Sequence, residues 1–210
     1  MRVSREKAAA NRERIIDAAA ALFRAKGFGG IGVADIMKAA DLTHGGFYGH
    51  FASKDDLVAQ ASRRTMARAA ANWQRVVTEA PERPYAALLQ RYLTPRHRDD
   101  PGRGCAFAAL GADAARSRKL VRDAFAHGIE PLIAILAEAV PGRSKAARRR
   151  KAVAAMAGLV GALSLARAVG DPSLSDEILK AVQQELLARR APLGGRLVGR
   201  RSVRLFPKCS

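Results

Sequence analysis

"DLTHGGFYGHFASKDDL", residues 41–57, decides the fold. Asp41 and Leu42 make a tight turn, Thr43 carries the oxygen an N-cap requires, and residues 44–50 leave room for only about two turns of helix. Ser53 then caps a further helix, with Asp55 and Asp56 in its first turn, where carboxylates meet the positive end of the helix dipole. Because Gly45 and Gly46 carry no bulk, the start of the short helix can approach another surface closely and offer its free N–H groups to an anion. Leu42, Phe47 and Phe51 are the residues expected to point inward and set the angle of this helix.

Upstream, Ile15, Ala18, Ala19, Leu22 and Phe23 recur at spacings of three and four, with Arg12, Glu13, Asp17 and Arg24 between them. That period predicts an amphipathic helix over about residues 5–26, ended by Gly27 in the left-handed C′ position. After a connector over 28–31, Gly32 serves as N-cap of a second helix ending near Ala40, with Asp35 at N3 and Val33, Ile36, Met37 and Ala40 on its apolar face. Two short helices joined by a tight turn and braced by longer ones form a helix-turn-helix.

Over residues 12–57, with "ALFRAKGF" closing the first helix and "VADIMKAADLTHGGFYGHFASKDDL" after it, the chain resembles the DNA-binding domain of the TetR/AcrR transcriptional regulators. The resemblance implies an all-α protein: a three-helix reader over 1–53, a larger helical effector-binding and dimerisation domain over 54–190, and a homodimer on a palindromic double-stranded DNA operator, released by a small-molecule inducer. By position in the motif, Thr43, His44, Gly45 and Gly46 stand where the recognition helix meets bases or phosphate. Tyr48, His50 and Lys54 match phosphate-binding positions, and Ala34 occupies a base-reading position where its methyl can touch only a thymine methyl. Two departures stand out. Asp41 replaces the usual turn glycine, and Gly49 replaces a bulky residue, so the recognition helix should be weakly formed before DNA holds it.

Downstream, one long helix is expected over 54–80, with Leu57, Val58, Ala61, Met66, Ala69 and Trp73 inward and Pro81 as its stop. A helix over 85–93 comes next, then "PRHRDDPGRG" (95–104) reads as a long loop, and helices are expected over 105–117 and 118–140. The last two, about 144–169 and 174–190, are the expected dimer interface, because Met156, Leu159, Val160, Leu163 and Ala166 alternate with the small residues Gly158, Gly161 and Ala162. Residues 191–210 carry five cations and no acid and read as a mobile basic tail. The inducer pocket is expected among Trp73, Leu89, Tyr92, Phe107, Leu110, Phe125 and Ile129. Cys105 opens a helix beside Arg103, a cation that favours the thiolate, which makes it a candidate electrophile or redox sensor.

Composition narrows the class. An apolar fraction of 49% is that of a globular chain, while 37 Lys and Arg against 19 Asp and Glu give a net charge of +18, which favours a polyanionic partner. Two cysteines match no zinc or disulfide framework and fit a reducing cytoplasm. The run over 153–166 falls short of the roughly 20 residues of a membrane span, so no membrane partner is expected. No Ser-His-Asp set, metal-ligand spacing or phosphate loop is present, so no enzyme activity, metal or cofactor is expected. A non-specific basic binder of nucleic acid or membrane surfaces would share the charge but would not need the capped short helices around residues 43–54.

Overall fold

A computed structural model describes residues 5–188; the expected basic tail lies outside them. Among the described residues there is no strand. The helices are α1 (Arg5–Lys26), α2 (Val33–Ala39), α3 (Lys54–Glu79), α4 (Pro84–Tyr92), α5 (Pro95–Asp99), α6 (Ala106–Ala115), α7 (Lys119–Ala139), α8 (Lys145–Ala168) and α9 (Pro172–Ala188), with 3-10 turns at His44–Gly49 and Pro101–Arg103.

Local chemistry accounts for the boundaries. Gly27 ends α1 at φ +76°, a conformation that L side chains rarely adopt. Asp35 accepts from the Gly32 N–H, and Ser53 Oγ accepts from the Asp56 N–H at 3.1 Å, capping α2 and α3. Ser144 caps α8 in the same way, through the Ala147 N–H. Helix α9 begins two residues before the expected Leu174, because Asp171 accepts from Ser173 and Leu174 N–H groups and Pro172 suits the first helical position.

The segment 95–104 is not the expected loop. Thr94 caps α5 through the His97 N–H at 3.1 Å, and Asp100 caps the next 3-10 turn through the Arg103 N–H at 3.2 Å, each with proline at the adjoining position. Thr-Pro and Asp-Pro therefore start two short helical turns where the density of Pro, Gly and charge suggested none. Arg98 clamps this segment to α9, donating to Ser175 Oγ at 2.9 Å and pairing with Asp176 at 2.6 Å.

Two apolar clusters form the core. One joins α1, α2, the 44–49 turn and the start of α3 through Ile15, Phe23, Ile36, Phe47 and Leu57, and it extends onto α6 and α7 through Leu110 and Phe125. The other joins the second half of α3 to α4, α7, α8 and α9 around Trp73, Leu89, Leu136, Met156 and Leu163. Helix α3 runs through both, and α7 lies close against it at Gly128, where an added Cβ would collide with the Met66 thioether. Pro131 stays inside the continuous α7, at an exposed position.

In α8 the face expected at a dimer interface turns inward instead. Met156, Leu159, Ala162, Leu163 and Ala166 are buried in the chain's own core, and Gly158 seats Leu186 and Val182 of α9. The outward stripe is Val153, Ala157, Gly161 and Leu165, spaced by four, with Val153 44% and Leu165 58% exposed. By length and composition alone α8 could cross a membrane, although the expected apolar run is shorter; its inner face is committed to α7 and α9.

Candidate nucleic-acid interface and effector cavity

The turn that opens the recognition segment stands on one unusual backbone: Asp41 has φ +52°, in the left-handed region that aspartate tolerates better than most residues. Its carboxylate pairs with Arg14 of α1 at 3.0 Å, so the negative charge that replaces glycine at this surface is offset by a cation. Thr43 occupies the N-cap in extended conformation, but its side chain makes no capping bond; the turn closes instead through Gly46 N–H to Thr43 O at 3.1 Å.

His44–Gly49 is a 3-10 segment rather than an α-helix. Three glycines in six residues lower helix propensity by roughly 1 kcal/mol each, so side-chain burial has to hold the segment. Phe47 is fully buried and Phe51 nearly so, their rings 5.6 Å apart, and Arg12 lies 5.2 Å over the Phe51 ring while its guanidinium also bonds Gln60. Between these two anchors the chain turns Tyr48 outward, 74% exposed and edge-on to Phe47. Ala34, Thr43, His44, Gly45 and Gly46 are exposed, and His50 is half-buried beside Phe51.

Lys54 is placed differently from a free surface cation. Its ammonium donates to the carbonyl oxygens of Phe28 at 2.6 Å and Ile31 at 2.7 Å, clasping the α1–α2 connector to the start of α3. Nothing in the spacing of the motif signals this bond, because the two carbonyls lie more than twenty residues upstream. Arg64 reaches Glu13 and Asp17, and Arg68 pairs with Asp17 at 2.9 Å, so α1 is bound to α3 along its length.

Residues 15–61, which span this arrangement from the middle of α1 into α3, match the family model for bacterial regulatory proteins of the tetR family. The N-terminal domain belongs to the TetR family. No curated protein matches the chain. Among solved structures, the reduced form of NemR from E. coli is 22% identical with a TM-score of 0.73, covering 87% of this chain and 98% of that one. A TetR-family transcriptional regulator from Agrobacterium tumefaciens is 20% identical with a TM-score of 0.72, covering 88% and 100%. Another from Chloroflexus aurantiacus is 21% identical with a TM-score of 0.70, covering 87% and 96%. The TetR-type fold therefore extends beyond the matched domain through the helical remainder of the described chain.

Behind the TetR-family domain, two adjoining cavities of about 730 and 380 Å3 open between α3, α4 and the 95–105 segment. Trp73 and Tyr92, both expected in the pocket, line both cavities. The other five expected residues line neither. Leu89 is sealed in the C-terminal core, Leu110 and Phe125 belong to the core of the TetR-family domain, Phe107 stacks edge-on against Phe125, and Ile129 packs on the C-terminal cluster. Their helical period shows which face is apolar, not whether a helix or a cavity lies opposite.

Among the wall residues that sequence reasoning missed are Arg24 and His97. The His97 Nε2 accepts from the Cys105 N–H at 3.0 Å, so the ring proton sits on Nδ1 and donates to the Tyr92 carbonyl at 2.8 Å. Cys105, half-buried, lines the smaller cavity. Arg103, expected beside it, is 87% exposed on its side chain and turns toward Asp100; the guanidiniums whose charge interacts with the thiol are Arg24 and Arg167. Burial holds the His97 pKa below the ordinary histidine value, helped by Arg167, while the bond to the Tyr92 carbonyl works the other way.

The neutral ring makes stability depend on pH in a stated direction. Below about pH 6.5 the unfolded chain takes up a proton at this histidine that the folded chain still refuses. Stability contributed here is therefore complete above that pH and is lost as pH falls toward the folded-state value, with a slope of at most about 1.4 kcal/mol per unit. Urea unfolding at a series of pH values from neutral downward should show this loss, and His97→Gln should flatten it.

Proposed function

We propose that the protein is a homodimeric, sequence-specific DNA-binding regulator that holds a palindromic operator and lets it go when a small molecule enters the cavities between α3, α4 and the 95–105 segment. Exposed Tyr48, set edge-on against buried Phe47, is the observation that carries this reading, since a large aromatic turned into solvent between two buried anchors adds little to the core. Its hydroxyl and the His50 ring serve the phosphate backbone; Thr43, His44, Gly45 and Gly46 meet base edges or phosphate; Ala34 touches at most a thymine methyl. Lys54 acts on DNA chiefly by fixing the connector, with its third ammonium hydrogen and its charge left for a phosphate. Residues 1–53 form the reader and 54–190 the effector-binding and dimerising part.

Operator fragments selected from genomic DNA and titrated by fluorescence anisotropy test this. Binding should favour the selected palindrome over random duplex by about a thousandfold or more. Tyr48→Phe should weaken it by about tenfold while leaving the melting temperature unchanged, because the lost hydroxyl is solvent-exposed in the free protein. Equal affinity for random DNA would instead identify a charge-driven binder. A second reading rests on Cys105 in the cavity wall: alkylation of its sulfur by a maleimide, the thiol proton passing to the adjacent carbon of the former double bond, would fill the smaller cavity and release the operator. In the same assay Cys105→Ser should resist release by N-ethylmaleimide if that reading holds.

A further inference from the structure

The smaller cavity has an uneven charge. Arg24, Arg68 and Arg103 line it, and no carboxylate does. Arg68 and Arg103 have acidic partners outside its wall, Asp17 and Asp100. Arg24 forms no ion pair among the described residues. Its guanidinium is half-buried, donates through Nε and Nη2 to the Gly102 carbonyl (2.9 Å from Nε) and through Nη1 to Thr65 Oγ1 at 2.6 Å, all neutral oxygens. Burial, with Arg68 second, pushes its pKa below the ordinary arginine value, while the nearby Asp100 carboxylate works the other way without offsetting it.

A second under-compensated cation stands behind the cavity floor. Arg167 donates through Nε and Nη2 to the Arg98 and His97 carbonyls, and its buried Nη1 has no partner. Gly104, part of the cavity wall, lies so close that an added Cβ would be 2.8 Å from Arg167 Nη2. The Tyr92 hydroxyl, on a buried ring 6.0 Å from that of Trp73, has the Cys105 thiol as its neighbour and no oxygen or nitrogen partner. Aromatic walls, guanidiniums bonded to neutral oxygens with Asp100 offsetting only part of their burial, and a hydroxyl without an oxygen or nitrogen partner together describe a receptor for a molecule with an apolar body and one negative end.

We propose that the smaller cavity binds a small organic carboxylate, its apolar body against Trp73 and Tyr92 and its carboxylate on Arg24. This deepens the reading of the protein as a ligand-released regulator and rests on it only for its biological meaning. A volume of about 380 Å3 suits a compact ligand. Arg24 belongs to the last turn of α1, so a carboxylate that draws its guanidinium from Gly102 loosens the bond between the reader's first helix and the 101–103 turn. Occupancy is thereby linked to the set of α1.

Trp73 is the chain's single tryptophan and lines the cavity, so its emission reports binding without a label. The full chain, free of DNA, is titrated with benzoate, phenylacetate and 4-phenylbutyrate, and in parallel with the primary amide of each. At least one acid should saturate a change in Trp73 emission, and its amide should bind about tenfold more weakly or worse, the amide being unable to make the ionic hydrogen bonds. Arg24→Gln should erase the preference for acid over amide, and Arg24→Lys should restore part of it. Should Arg24→Gln unfold, Arg68→Gln, at a 60% exposed side chain, should shrink the same preference. Amides matching acids in the native protein, or no acid altering emission up to about 10 mM, overturns the proposal. With no DNA present, the result stands or falls independently of operator recognition.

Discussion

If the protein is the proposed dimer, placing glutamate at both Val153 and Leu165 should turn it into a monomer and weaken binding to the proposed palindrome by about a hundredfold or more, since each half-site would then be held without the other. Both side chains lie on the outward stripe of α8, while their neighbours Ala152, Met156 and Ala166 face the chain's own core. Leu174, 43% exposed at the start of α9, is a further outward apolar side chain. Exposed valine and leucine on a helix with Ala157 and Gly161 between them leave a shallow, close-packing surface suited to the same helix of a second copy. Two carboxylates buried face to face with their symmetry mates would each cost several kcal/mol, whereas in the free subunit they meet only water. Sedimentation equilibrium decides it: the double variant at monomer mass, with an unchanged circular dichroism spectrum, is the expected outcome. A dimer that survives both substitutions places the interface elsewhere.

Phe47→Ala should cost about 3–5 kcal/mol of stability and abolish operator binding altogether. This ring is fully buried where the 44–49 turn meets the TetR-family core, contacting Tyr48 at 5.2 Å and Phe51 at 5.6 Å between ring centres. Hydrogen bonding cannot replace it, because a short 3-10 turn with three glycines has few backbone bonds and little intrinsic preference for helix. Losing the ring therefore removes both the apolar contact and the orientation of Tyr48. Calorimetry should show a melting temperature lower by about 10 °C or more. Tyr48→Phe supplies the contrast, weakening DNA binding at constant stability. If Phe47→Ala melted like the native protein, burial would not be what holds the recognition segment.

The reader is legible in the sequence because its devices are local. Gly27 at positive φ, Asp35 reaching back to Gly32, Asp41 in the left-handed region and Ser53 capping α3 each act within a few residues, and each appears where the sequence places it. Much of the inward faces of α1 and α3 follows from a period of three and four that needs no knowledge of a partner, although Ala18, Leu22 and Ala69 are only half-buried and Ile16 and Ala20 join the buried face of α1. Segment 95–104 departs from its expected loop for a local reason as well: its prolines look like breakers, although Thr94 and Asp100 in front of them make each a first helical position.

Other features depend on residues far apart in the chain. Lys54 binds carbonyls of the α1–α2 connector, Arg24 reaches Gly102 across 78 positions, and Arg167 reaches the His97 carbonyl across 70. A helical repeat marks an apolar face without saying what lies against it, which is why Leu89, Leu110 and Phe125 proved to be core and the outward stripe of α8 proved to be Val153 to Leu165. The amino-acid order by itself determined an all-helical fold over the described residues beginning with a helix-turn-helix, since capping, turn chemistry and amphipathic period are properties of neighbouring residues; the TetR-type character of that reader came from its resemblance to the family. Only the tertiary structure decided where the cavities open, which cations lack a counter-charge and which helix face meets solvent, since those depend on how closed the space between distant helices becomes.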